Sequence, residues 1–184
     1  MTRAFRSFAQ SLGRTWVIAL LGVTYLISQI AILVTLAPAS SEMLRLQCLG
    51  FSAERTLAIF RAWEASGAID AYRAHFVLDD FHWLWYAGFF TALLGRLFER
   101  RAVSHRFDWV LVLPLASGLL DVLENQIQHV FVGAPGFSTV VDPLPLISTA
   151  ASILKWGLLL LYVGVTAVLS FPVRSETASS PPRA

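Results

Sequence analysis

Residues Trp109–Phe131 read WVLVLPLASGLLDVLENQIQHVF. The hydrocarbon core of a bilayer takes about 20 mainly apolar residues to cross, and this segment is long and apolar enough. Yet it carries Ser117, Asp121, Glu124 and Gln128, with Asn125 alongside. At about 100° per residue, the spacing 117, 121, 124, 128 keeps every member within about 40° of the first. They form a stripe about 16 Å long. Lipid cannot solvate two carboxylates and their amide neighbours. Such residues face a bundle interior or a wet cavity, and they mark a functional position by default. The expected fold is therefore all-α: a polytopic, four-helix transmembrane bundle.

The composition agrees. The chain has 184 residues, 56% hydrophobic and 14% charged, whereas a soluble domain is about 25% charged. So much apolar content excludes disorder over most of the length. The one cysteine, Cys48, can form no internal disulfide and matches no metal or redox spacing. A net charge of +2 gives no reason to expect a nucleic-acid partner.

Four spans are expected, at about residues 16–36, 81–98, 109–131 and 144–171, in a single domain over residues 1–172. The last three are joined by short connections, which makes them antiparallel neighbours. Arg3, Arg6 and Arg14 precede the first span, and Arg96, Arg100, Arg101 and Arg106 cluster at the second connection. The connection before the fourth span has no Lys or Arg. Basic residues stay on the cytoplasmic side. The expectation is a multi-pass protein of a bacterial inner membrane with both termini cytoplasmic. Ala37-Pro38-Ala39 resembles a signal-peptidase site, but a signal peptide's apolar core is about 7–15 residues, shorter than this run. An uncleaved first helix is expected.

The long first loop, 39–80, holds an amphipathic helix capped by Ser52, with Leu57, Phe60 and Trp63 at helical spacing and Gly67 at its end. It is expected to lie on the outer membrane surface as a lid. A second helical run from Ile69 continues into the second span. The tail, 173–184, is rich in Ser and Pro, and is expected to be disordered and cytoplasmic.

Polar residues recur at one depth on the other helices. The fourth span carries Ser148, Ser152 and Lys155, with Thr149 beside them; the first carries Tyr25 and Gln29. At the outer end of the second, Asp80 shares a face with Ala87, Gly88, Thr91 and Gly95. Small residues at such spacing mark close helix contacts, so Asp80 is expected to point inward. Lys155 is the one cation of the cluster, and a salt bridge to Asp121 or Glu124 is expected. Pro114 is expected to kink the third span.

His75, Asp79 and His82 share the opposite face, which continues into Trp83, Tyr86 and Phe90 as an aromatic belt. No third ligand is evident there, so neither a metal nor another cofactor is expected. No nucleophile elbow, phosphate loop or HExxH occurs.

Leu78-Asp79-Asp80-Phe81, Leu113-Pro114, Asp121-Val122-Leu123-Glu124-Asn125 and Leu154-Lys155-Trp156 resemble the pattern of a group of uncharacterised small bacterial four-helix integral membrane proteins. Its most distinctive element is D-x-x-E-N in the third span. The resemblance covers about residues 70–165; it implies the four-span layout and no particular chemistry. The layout is also loosely similar to sterol-isomerase and sigma-2-receptor-like proteins, in architecture alone.

Three functions fit this pattern. One is binding or transport of a small apolar or cationic ligand, or of protons, centred on Asp121 and Glu124. A bundle this small has no internal repeat, so transport would need a homo-oligomer. The second is an intramembrane isomerase or hydrolase with Glu124 or Asp80 as general acid/base. The third is a structural subunit whose amphipathic loop meets a partner.

Overall fold

Helical periodicity runs through most of the chain, and the computed structural model, which describes residues 2–171, is all-α. Among the described residues there are seven α-helices and no strand. They are α1 (Thr2–Leu12), α2 (Thr15–Leu36), α3 (Ser40–Leu49), α4 (Ala53–Ser66), α5 (Ala68–Arg100), α6 (Leu113–Gly133) and α7 (Leu144–Ser170). The expected tail falls outside the described residues.

Helix α5 is the centre, and α1, α2, α4, α6 and α7 all pack on it. Its 33 residues extend about 50 Å. Small residues set the closest approaches. A Cβ at Gly95 would lie 2.5 Å from the Ala9 carbonyl oxygen of α1. Gly88 faces Leu21 of α2, and Gly118 of α6 lies under Trp83. The small-residue face of α5 thus meets α1 and α2.

Helix α4 starts where Ser52 Oγ accepts from the Arg55 N–H, and ends at Gly67 in the left-handed region (φ 77°). That conformation costs glycine least. Phe60 and Trp63 are buried in an aromatic cluster with Tyr72, Phe131 and Phe137, the Trp63 and Tyr72 rings 4.6 Å apart. The lid packs its apolar face on protein, because α5 and the 135–137 turn supply the apolar partners.

Several local features differ from expectation. Residues 2–12 form a helix, α1, tied to the body by Arg6. The loop contains a second helix, α3, which crosses back over α7. The third segment opens as a 3-10 helix, His105–Val112, before α6. Pro114 sits in the first turn of α6, where its missing N–H is not needed. It starts the helix and does not kink it.

Two helical stretches are long and apolar enough to cross a membrane: Thr15–Leu49 and Leu144–Ser170. Only 11% and 22% of their most apolar parts are buried, and Leu20, Ile27, Ile30, Val34, Leu160 and Val168 lie exposed. The charges and the polar stripe dilute α5 and α6 below that measure.

Candidate functional site

The stripe on α6 is buried: Ser117, Asp121, Glu124, Asn125 and Gln128 are all at most 4% exposed. Asp121 and Glu124 meet the one lysine. Lys155 Nζ donates to Asp121 Oδ1 at 2.7 Å and to Glu124 Oε2 at 2.6 Å, bridging α7 to α6. The remaining oxygens are also filled. Tyr86 O–H donates to Asp121 Oδ2 (3.2 Å), and Gln47 Nε2 donates to Glu124 Oε1 (3.2 Å). Gln47 in turn accepts from Trp156 Nε1 at 3.3 Å. Ser117 Oγ donates to the Lys155 carbonyl. Each carboxylate oxygen of the pair thus has a donor, the condition for a tolerable buried charge.

The stripe continues outward. Gln128 donates to Ser148 Oγ at 2.8 Å and accepts from Tyr72 O–H at 3.1 Å. Thr149 is buried, and Ser152 Oγ is buried without a partner among the described residues.

The structure reverses the expected roles of the two adjacent aspartates. Asp79, not Asp80, joins the cluster: its Oδ2 accepts from Asn125 Nδ2 at 3.2 Å and lies 3.8 Å from His75 Nε2. Asp80 pairs with His129 (3.0 Å) at a half-exposed position. Adjacent helical residues are about 100° apart, and the face Asp80 shares with the small residues is turned to α1 and α2. The expected aromatic belt is overturned for the same reason. Tyr86 and His82 are buried, and Phe90 packs on Tyr162. His82 shares a hydrogen bond with Ser28 Oγ of α2 at 2.9 Å. His75 is buried as well, and its Nδ1 contacts the Tyr72 carbonyl. Burial pushes its imidazole down to about 4. Among the described residues no group of three His, Cys, Asp or Glu is placed to hold a metal.

Beside this network a cavity of about 410 Å³ lies between α2 and α7, lined also by α3 and α5; Gln47, Asp79, His82, Tyr86 and Lys155 reach it, and Asp121, Glu124, Asn125 and Gln128 do not. Tyr25, Gln29, His82, Tyr86, Asp79 and Lys155 supply its polar side. Ile32, Leu36, Met43 and Leu159 supply its apolar side, and Leu33 and Leu44, both largely exposed, stand at its mouth. Such a volume is typical of ligand pockets. Gln47 and Asp79 are the site residues sequence reasoning missed. Gln47 had no signal beyond helical spacing with Met43. Asp79 shares its helical face with His75 and His82, which is the one signal the sequence offers for it.

No protein-family model, curated protein or solved structure matches this chain.

Proposed function

We propose that this chain is a four-span protein of a bacterial inner membrane, with both termini cytoplasmic, and that the cavity between α2 and α7 binds or carries a small amphiphilic molecule. The spans would be α2, the later part of α5, α6 and α7. The exposed apolar residues of α2 and α7 support insertion. The gathering of Arg96, Arg100, Arg101 and Arg106 with the basic α1 at one end supports the orientation. Transport would require a homo-oligomer, as no repeat provides alternating halves.

One observation carries the binding role: a cavity lined by apolar residues of α2, α3 and α7 also presents Asp79 and Lys155, the latter held by Asp121 and Glu124. A ligand entering from the bilayer would leave its apolar part on α2 and α3 and place its polar part near Lys155 and Asp79.

Native mass spectrometry of the intact protein released from a mild detergent tests this. An adduct of defined mass is expected, lost in a Leu159→Trp variant that fills the cavity. A bare chain in every preparation would reject a ligand role. Cysteine labelling in a Cys48→Ser background, at position 45 and at position 100, tests the orientation, with only the former reactive from outside.

An intramembrane acid/base enzyme is the second reading. It is favoured by Asp79, which lines the cavity with His75 3.8 Å behind it. The acids first expected in that role are less suited. Both oxygens of Glu124 are occupied, and Asp80 is not in the cavity lining.

A further inference from the structure

We infer that the cavity selects a cationic amphiphile: an ammonium head, primary or alkylated, held against Asp79 and the surrounding aromatic faces, on an apolar body lying along α2. This holds only if the cavity is a ligand site, as proposed above.

The charge balance is the starting point. Among the described residues Lys155 is the one lysine or arginine lining the cavity, where Asp79 also lies, and it pairs with Asp121 and Glu124. Its ammonium is already spent on Asp121 and Glu124, whose other oxygens are filled by Tyr86 and Gln47. Asp79 is different. Its Oδ2 has Asn125, and its Oδ1 has no partner among the described residues. A part-exposed carboxylate that lines the cavity with one oxygen free offers an ammonium a charge-assisted hydrogen bond. An anionic head would add to the surplus, and a neutral hydroxyl would leave it unchanged.

The walls carry independent support. Tyr25, Tyr86, Phe90, Trp156 and Tyr162 all line the cavity. Aromatic faces attract cations, and cages of such rings are the usual receptacle for alkylated ammonium groups. On the other side, Ile32, Leu36 and Met43 offer only hydrocarbon, which suits a chain or ring and no second charge.

The test uses the full chain in phosphatidylcholine nanodiscs, titrated calorimetrically with dodecyltrimethylammonium, dodecylamine, dodecanol and dodecanoate, with empty discs subtracted. Both cations are expected to bind saturably, about tenfold more tightly than dodecanol. Asp79→Asn is expected to erase that preference while dodecanol still binds. If the Asp79 variant does not fold, Trp156→Leu at its part-exposed position serves instead, with the preference expected to fall about threefold. Equal binding of the four probes, or a preference that survives these substitutions, would overturn the cationic assignment and leave the cavity a ligand site. No saturable binding by any probe would overturn the ligand site itself.

Discussion

Two buried ion networks occupy opposite halves of this protein, and they differ in how completely their valences are filled. In one, Arg6 of α1 donates to Asp108 Oδ1 at 2.6 Å and to the Val103 carbonyl at 2.8 Å. Asp108 Oδ2 is 3.1 Å from His105 Nδ1, and the guanidinium lies over the Phe98 ring. One cation meets one carboxylate, and the result fastens α1 to the 3-10 helix that precedes α6. In the other, Lys155 meets Asp121 and Glu124 beside Asp79, and the group borders a cavity. A network that balances itself needs nothing more. The other keeps the Asp79 carboxylate on a cavity wall, with one oxygen unpaired among the described residues.

The comparison breaks most visibly at Lys155. Lys155→Met strands Asp121 and Glu124, and should cost roughly 3–5 kcal/mol, seen as a large drop in thermal midpoint and in yield. If the midpoint stays unchanged, the triad is not a buried charge network. Arg6→Met should cost less, about 2–3 kcal/mol, because Asp108 keeps a histidine partner. Pairing it with Asp108→Leu should recover much of that loss, and ligand binding should not change. A loss of binding there would erase the distinction between the two networks.

Acid should separate them further. His75 stands behind Asp79, and its folded value of about 4 lies below the 6.5 of the unfolded chain. Between those values the unfolded state binds the proton more readily. Stability from this group is therefore full above about pH 6.5, falls as the pH drops towards 4, and is flat below. The whole loss should be about 3 kcal/mol. Thermal midpoints measured across that range should fall in the native protein and fall less in His75→Asn. The smaller effects come from backbone fit. Gly95→Ala drives a Cβ into the Ala9 carbonyl and should cost about 1–3 kcal/mol, loosening α1 with binding intact. Gly67→Ala meets no atom within 4 Å, so only its positive φ is penalised, by about 1 kcal/mol.

Much of the site was legible because helix period is a local property. The spacing of Ser117, Asp121, Glu124 and Gln128 puts them on one face whatever packs there, and burial of two acids calls for the only lysine within reach. Asp79 and Asp80 were exchanged for a different reason. The small residues after Asp80 do mark a contact face, but spacing does not say which helices meet it. Ala9 of α1 and Leu21 of α2 occupy it, and the polar cluster takes the face of Asp79.

The sequence by itself determined the helical class, the apolar stretches of α2 and α7, the lid helix between Ser52 and Gly67, and the polar stripe of α6, since each depends on neighbours within a few turns. Only the tertiary structure decided that Lys155 joins both acids at once, that Gln47 returns on α3 to complete Glu124, and that a cavity stays open between α2 and α7. Those contacts join residues 31 to 109 positions apart, and no local pattern encodes the packing that brings them together.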